Sequence, residues 1–310
     1  MYPKYDPSGR IKFDYNEQFN IRIGKKNYSG SQIKNTGDYD TYVEFNKYGF
    51  RDKKDIAEIK PDELAVVGDS FSLGWGVDEH KRYSDQLQKL INKPVYNISI
   101  SNNLNGYREL LNYAESTGAK IKNVILGLCM ENDLLDYGNR NSNRIVNPSK
   151  YNKIKHFLYN FALFNLFATY VHSNSELRDL AVRYGLIIDN LDGIPKNEID
   201  KNVLNSSVHI LSDLDKKYNL LVVIIPSRGL WVGKNKQIES EVHNKLISML
   251  SDKEIEFIDL RSEFEKGRNP LGYHFENDGH WNVHGHSLAA KQIYDYLIDC
   301  EHSTCIPCLN

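Results

Sequence analysis

Short apolar runs alternate with longer segments of helical periodicity from Leu64 onward. The runs are continuous and partly β-branched, which is typical of strands covered on both faces of a sheet. They are LAVVG (64–68), VYNISI (95–100), NVILGL (123–128), LLVVII (220–225) and IEFIDL (255–260). Helical patterns follow at 82–92, 104–117, 198–217, 236–251 and 284–299. This order predicts an α/β fold, an α/β/α sandwich with a central parallel sheet of about five strands.

Three parts of the chain depart from this alternation. Residues 1–61 lack long periodic segments and predict an N-terminal extension that wraps the core. The main domain is expected at 62–300, with an insertion around 136–195 that is expected to contain two helices and is a candidate cap over the site. The aromatic run 157–171 within it predicts one buried helix, and a lid for a fatty acyl chain or a membrane-facing stripe are the alternatives. Residues 301–310 form a tail that contains cysteines.

Composition narrows the possible partners. The 310 residues carry 39 Lys and Arg against 41 Asp and Glu, a formal net charge of −2. This balance gives no basic field, so we expect no nucleic-acid partner. A charged fraction of 26% beside a hydrophobic fraction of 40% excludes collagen-like, fully disordered and multi-span membrane chains.

No membrane-spanning or targeting segment is predicted. The longest uncharged apolar-rich run, 157–171, is shorter than the roughly 20 residues that span a bilayer. The N-terminus has no apolar signal-peptide core. The localisation is left open: the sequence as written fits a cytoplasmic protein, and the same chain would lie in the cell envelope or periplasm if an upstream signal or anchor had been removed.

The strongest local signal for chemistry is Gly-Asp-Ser after the first predicted strand. Gly68 permits a tight turn, Asp69 can bind turn amides, and Ser70 lies at the carboxyl end of the strand, where open α/β sheets place their sites. A serine there is a candidate nucleophile if a base lies within reach. The alternative is an Asx turn that caps the next segment.

A second signal, Asp278 and His280, lies just before the last predicted helix. A catalytic serine needs an imidazole to accept its proton, and the imidazole needs an acceptor that fixes its tautomer. Two residues apart in an extended segment, both side chains point the same way. A zinc site of Asp278, His280 and His284 is the competing hypothesis, and it leaves Gly-Asp-Ser unexplained.

Two further loops follow predicted strands. Asn132 follows the third strand, where its amide can donate to a developing oxyanion beside the Ser70 N–H. The alternative is a helix N-cap. Asn102 follows the second strand, in a loop rich in Ser and Asn whose backbone N–H groups are candidate oxyanion donors.

With these four signals in one order on one sheet, the sequence resembles the SGNH (GDSL-type) serine hydrolase family over residues 62–300. The resemblance implies a flavodoxin-like sandwich without a cofactor or metal. It makes Ser70 the nucleophile and a first oxyanion donor, Asn132 the third-block asparagine, and His280 the base, followed by Trp281, Asn282 and Gly285.

Two departures from the family pattern affect the remaining site residues. Asp278 is the acid in a D-x-H spacing, where D-x-x-H is commoner. The shorter form is similar to D-x-H-W in the branch that acetylates exported polysaccharides. The second-block glycine is absent, and Asn102 lies nearest to its place.

Other residues are candidates for substrate binding or structure. Asp69, Arg228, Trp231 and Trp281 are candidate substrate-binding residues, each with a packing or capping alternative. Arg51, in the FNKYGFRD segment (45–52), is expected to be structural. In the tail, Cys300, Cys305 and Cys308 favour a disulfide or a disordered end over a zinc site with His302.

The sequence therefore predicts a serine esterase that acts through an acyl-enzyme on a small acyl ester or an O-acetylated glycan. One alternative is a polysaccharide O-acetyltransferase with the same triad. The other is a non-catalytic glycan-binding protein that keeps the fold. The oligomeric state is not predicted.

Overall fold

The structure is a computed structural model of the 310-residue chain. It describes residues 11–34, 36–134, 174–184, 201–233 and 235–302, together with Phe167, Tyr170 and Val171. The predicted insertion at 136–195, the aromatic run and the tail cysteines lie largely outside the described residues. No helix in the described ranges has the length and apolar character that crossing a bilayer requires.

A parallel five-stranded sheet forms the centre of the main domain. Its strands are β5 (Leu64–Gly68), β6 (Val95–Asn97), β7 (Asn123–Cys129), β8 (Asn219–Ile225) and β9 (Phe257–Asp259). Their spatial order is β6-β5-β7-β8-β9, the 2-1-3-4-5 order of flavodoxin-like sheets. The predicted fold class and all five strands are confirmed, with β6 and β9 shorter than their apolar runs.

Helices connect the strands close to the predicted positions. They are α1 (Ser70–Leu73), α2 (Tyr83–Ile91), α3 (Leu104–Ser116), α4 (Ser175–Arg183), α5 (Lys201–Asp215), α6 (Lys236–Asp252), α7 (Arg261–Lys266) and α8 (Val283–His302). Parallel neighbours need such crossover helices, and the helices then cover both faces of the sheet.

Alternate residues of the strands enter two different cores. Val67, Leu126 and Val222 face the core that contains residues of α3, α5 and α6. Val66 and Val223 face the opposite core, which contains residues of α2, α7 and α8. Both faces of each central strand are therefore buried, which explains why the strands appear in the sequence as continuous apolar runs.

The N-terminal region contributes two antiparallel hairpins. The first pairs β1 (Phe13–Asn16) with β2 (Ile21–Gly24), and the second pairs β3 (Ser29–Ile33) with β4 (Asp40–Glu44). Apolar side chains of these hairpins join the core on the α3 side. The region thus packs directly on the sandwich, and the boundary at residue 61 stays a prediction.

Candidate active site

Ser70 lies where β5 ends and α1 begins. The Asp69 side chain accepts a hydrogen bond from the Phe71 N–H at 2.8 Å and so caps the short helix. Gly68 is required here, because a Cβ at this position would overlap the Ser72 hydroxyl and lie 2.9 Å from the Gly127 carbonyl. This close packing presents Ser70 at the carboxyl edge of the sheet, where the sequence placed it.

His280 joins Ser70 to Asp278 in one relay. Its Nε2 lies 2.8 Å from Ser70 Oγ, and its Nδ1 is hydrogen-bonded to Asp278 Oδ1. The His280 backbone N–H also donates to Asp278 Oδ1 at 3.1 Å, which holds the carboxylate beside the ring. The structure brings together the three side chains that the sequence predicts to form a relay, although Ser70 and His280 are 210 residues apart in the chain. A neutral imidazole in this position can take the serine proton.

The second carboxylate oxygen of Asp278 is bound by the N-terminal hairpin. Lys34 Nζ lies 2.9 Å from Oδ2, and the Tyr39 hydroxyl donates to the same oxygen at 3.2 Å. Burial by itself raises the pKa of Asp278, but the hydrogen bond and charge of His280, together with Lys34, outweigh it and hold that pKa well below its usual range. Asp278 is therefore ionised throughout the neutral range.

Two aromatic rings pack against His280. The Trp75 indole is stacked on the imidazole, with ring centroids 5.4 Å apart, and Phe71 contacts it at 5.2 Å. A quarter of the His280 side chain stays exposed. The ring is therefore fixed in orientation by packing while one part of it faces solvent.

Asp69 is a structural residue, which corrects its prediction as a substrate-binding residue. Its side chain is buried and binds the Phe71 N–H and, at 3.3 Å, the Asn132 amide. Burial raises the pKa of this carboxyl. The Asx-turn alternative describes Asp69 better.

Asn132 lies beside the Ser70 turn through this contact with Asp69. Residues 131–134 form a turn, and the residues that would form a helix after Asn132 lie outside the described part of the chain. Asp133 fixes the end of β7, because its carboxylate accepts from the Cys129 N–H at 2.8 Å and from the Tyr107 hydroxyl at 2.7 Å. Asn132 Oδ1 is buried and has no hydrogen-bond partner among the described residues.

The Asn102 side chain is bound to the backbone of Arg22 and not to the Ser70 turn. Its Oδ1 accepts from the Arg22 N–H and its Nδ2 donates to the Arg22 carbonyl, both at 3.0 Å. This two-way pairing ties the loop after β6 to the β1–β2 hairpin. Its backbone N–H remains the part of Asn102 proposed as an oxyanion donor, and the residue does not use the left-handed backbone that asparagine tolerates.

Arg228 forms a two-pronged ion pair with Glu131. Its Nε lies 2.8 Å from Glu131 Oε1 and its second terminal nitrogen 2.9 Å from Oε2, while the Arg228 backbone N–H also donates to Oε1. Both side chains are largely buried. Glu131 thus holds Arg228 in place at this edge of the sheet, and substrate binding by Arg228 stays a prediction.

The two tryptophans predicted to contact substrate differ in their surroundings. Trp281 is completely buried and packs against Phe71, Phe264 and His286, so its prediction as a substrate-binding residue is wrong. Trp231 is half-buried, stacks on Phe264 and donates its indole N–H to Glu265 at 3.0 Å. It stays a predicted substrate-facing residue.

The histidines around the site do not form a metal centre. Across the described ranges, no group of three His, Cys, Asp or Glu side chains is arranged to hold a metal ion. His284 lies exposed at the start of α8. His286 is buried and accepts from the Tyr83 N–H at 3.3 Å, and burial together with Arg82 lowers its pKa to about 3.

Arg51 holds the loop that follows α1, the short helix that begins at Ser70. Its buried guanidinium donates to the carbonyls of Gly74 at 2.6 Å and Val77 at 2.7 Å, just after α1. Burial, and the charge of Arg82, lower its pKa to about 9. The expectation of a structural arginine agrees with these contacts.

Sequence reasoning missed Lys34, Tyr39 and Glu131. Lys34 and Tyr39 lie about 240 positions from Asp278, with no local motif to mark them. Glu131 carried one usable signal, since it precedes Asn132 at the end of a strand whose neighbours bear the chemistry.

No family model and no curated protein sequence matches this chain. Among solved structures, a member of the lipolytic G-D-S-L protein family from Veillonella parvula is 13% identical, with a TM-score of 0.44, over 75% of this chain and 96% of its own. The chain is similar in fold to G-D-S-L proteins. The C-terminal catalytic domain of peptidoglycan O-acetyltransferase A from Streptococcus pneumoniae is 13% identical, with a TM-score of 0.40, over 78% of this chain and 96% of its own.

A carbohydrate esterase family 2 enzyme with a carbohydrate-binding domain from Corynascus thermopiles is 10% identical, with a TM-score of 0.43. The alignment covers 79% of this chain and 68% of that one.

Proposed function

We propose that this protein is a serine esterase that removes a small acyl group, of which acetyl is the first candidate, from a carbohydrate or glycan. The observation that carries the proposal is the unbroken relay from Ser70 through His280 to Asp278 at the carboxyl edge of the sheet. The acetyl and glycan parts rest on the D-x-H-W resemblance. The small-ester series below tests the acetyl part, and the oligosaccharide and glycan experiments that follow it test the glycan part.

The reaction follows from these contacts. His280 Nε2 accepts the Ser70 proton as Oγ attacks the ester carbonyl, and ionised Asp278 stabilises the imidazolium that forms. The Ser70 N–H, the loop around Asn102 and the Asn132 amide are the proposed donors to the oxyanion. The imidazolium then protonates the leaving alcohol, and water deprotonated by His280 hydrolyses the acyl-enzyme and restores Ser70.

Hydrolysis of 4-nitrophenyl acetate, with butyrate and octanoate esters for comparison, tests this function. Ser70→Ala and His280→Ala are each expected to lower kcat by about 10⁴-fold or more, since members of such a triad act as a unit. His209→Ala and Ser116→Ala alter exposed or peripheral positions and are the matched controls. A serine-directed phosphonate should label Ser70, and mass spectrometry of the peptide locates the adduct.

Three results separate this function from the alternatives. Acetyl transfer from an acetylated donor to an oligosaccharide, at a rate above hydrolysis, makes the protein a transferase with the same triad. Absence of activity on every short-chain ester, with glycan binding that survives Ser70→Ala, overturns the enzyme in favour of a glycan-binding protein. Chelator-sensitive activity with a stoichiometric metal overturns the serine mechanism.

A further inference from the structure

The turn between β3 and β4 reaches into the relay. Lys34 and Tyr39 flank this turn, and the Lys34 N–H donates to the Tyr39 carbonyl at 3.0 Å, which holds the two residues side by side. Both side chains end on Asp278 Oδ2, the carboxylate oxygen that His280 does not use.

Tyr39 also connects Asp278 to the ring that packs on His280. The Trp75 indole N–H donates to the Tyr39 hydroxyl at 2.8 Å, and the same indole is stacked on the imidazole. Burial and the neighbouring Asp278 charge raise the pKa of the Tyr39 hydroxyl. The phenol therefore keeps its proton and serves as a donor to the carboxylate.

We propose that Lys34 and Tyr39 are positioning residues for the relay, so that the β3–β4 hairpin is a working part of the active site. This inference rests on the proposed function, because it assigns these two residues to the same acid, Asp278. Lys34 sets how much negative charge Asp278 presents to His280, and Tyr39 fixes the direction of the carboxylate and of Trp75.

The role of Lys34 follows from simple electrostatics. One carboxylate is shared between two cations, the Lys34 ammonium on Oδ2 and the imidazolium that forms on Oδ1 during catalysis. A cation already bound to Asp278 weakens the attraction that the imidazolium feels. Removal of the Lys34 charge should therefore strengthen the attraction between Asp278 and the imidazolium.

Other charged groups also act on His280 and must be held constant. Asp69 lies under the serine turn, His274 and His286 interact with His280 through space, and Arg228 interacts with Asp278. None of these groups is altered when Lys34 or Tyr39 is replaced. A difference between the variant and the parent protein therefore reports the hairpin residue.

The decisive measurement is the pH profile of kcat/KM for 4-nitrophenyl acetate. In Lys34→Met, the acid limb should move upward by about one pH unit, the size of shift that one neighbouring charge typically produces. At a given pH on that limb, kcat/KM should be about ten-fold lower than in the parent protein, because a shift of one pH unit changes the reactive fraction of the enzyme ten-fold. Lys34→Arg keeps the cation and should keep the limb near its parent position.

Tyr39→Phe tests the second residue. We expect kcat to fall several-fold with KM little changed, because the hydroxyl is bound to Asp278 and to the Trp75 indole. Lys47→Met and Tyr42→Phe are the matched controls, since both side chains are exposed and lie outside the relay. Both should retain the parent kcat and pH profile.

NMR titration of the His280 ring provides a readout that needs no substrate, with His280→Gln used to assign the signal. An upward shift of the midpoint in Lys34→Met supports the inference even if no ester is turned over, in which case only the proposed function has failed. A parent-like midpoint and pH profile in a folded Lys34→Met overturn the inference while the esterase activity stands. Parent-like kinetics in a folded Tyr39→Phe would likewise overturn the role proposed for Tyr39.

Discussion

The guanidinium of Arg228 lies against the backbone of Gly279. Gly279 lies in the chain between Asp278, which orients the base, and His280, which is the base. A Cβ at position 279 would overlap the central carbon and both terminal nitrogens of the guanidinium. Arg228 cannot swing aside freely, because Glu131 binds it at two points. The Arg228–Glu131 pair thus forms a fixed wall on which the 278–280 loop rests.

Gly279→Ala is expected to displace this loop and misalign His280. Overlap against a fixed group forces a backbone shift, and a misplacement of about 1 Å can cost about 10²-fold in rate. We expect kcat/KM for 4-nitrophenyl acetate to fall by one to two orders of magnitude. Gly267→Ala, at an exposed position with an ordinary backbone φ of −76°, is the control. An unchanged rate in Gly279→Ala would show that the loop does not depend on this contact.

Glu131→Gln should destabilise the protein. Removing one partner of a largely buried ion pair leaves the other charge uncompensated, at a typical cost of about 3 kcal/mol. Urea unfolding of this variant, of Arg228→Gln and of the double variant measures the coupling between the two residues. If Arg228→Gln instead raises KM alone and leaves the free energy of unfolding unchanged, Arg228 binds substrate after all.

Asn132→Ala and Asn102→Ala should differ in what they lose. If the Asn132 amide donates to the oxyanion, its removal lowers kcat by about 10² to 10³-fold with KM nearly constant. Asn102→Ala keeps its backbone N–H, so kcat should change little. Loss of the pairing with Arg22 should lower the free energy of unfolding by about 1 kcal/mol. A large kcat loss in Asn102→Ala would assign the oxyanion role to its side chain.

Acid should destabilise the fold through two buried histidines. Burial, with the charges of Arg228 and of Arg82 respectively, lowers the pKa of His274 to about 4 and that of His286 to about 3, against 6.5 unfolded. The unfolded chain therefore binds more protons between pH 6.5 and pH 5, and the stability of the fold decreases as pH falls. Each histidine adds a slope of up to about 1.4 kcal/mol per pH unit in that window.

Urea unfolding between pH 7 and pH 5 measures this slope in the parent protein and in His286→Gln. The variant should show a shallower dependence on pH, whereas His209→Gln, at an exposed position, should not change it. Asp278 does not contribute to the slope between pH 7 and pH 5, because an unfolded aspartate titrates near 3.8, below this window. An identical slope in His286→Gln would contradict the assignment.

Much of the architecture could be predicted from the sequence because it is encoded locally. Five continuous apolar runs marked strands that are buried on both faces, and periodic segments marked the helices between them. The parallel order then placed Ser70, Asn132 and the 278–280 loop at one edge of the sheet. No information about distant contacts was needed for these steps.

The outcome for single side chains could not be predicted in the same way. The sequence has Trp281 next to His280, yet the tryptophan fills the core, because successive side chains of an extended segment point in opposite directions. Arg228 follows a strand at the carboxyl edge of the sheet, yet its guanidinium forms an ion pair with Glu131 that the sequence did not indicate. Burial and pairing depend on which groups other segments bring to the site.

Sequence by itself determined the sheet, its connections and the pairing of a strand-end serine with an Asp-x-His loop, since periodicity and strand ends are properties of neighbouring residues. Only the tertiary structure decided what surrounds Asp278. Lys34 and Tyr39 come from a hairpin with no motif of its own, and they reach the carboxylate because that hairpin packs on the sandwich. A hydrogen bond between residues some 240 positions apart is a property of that packing.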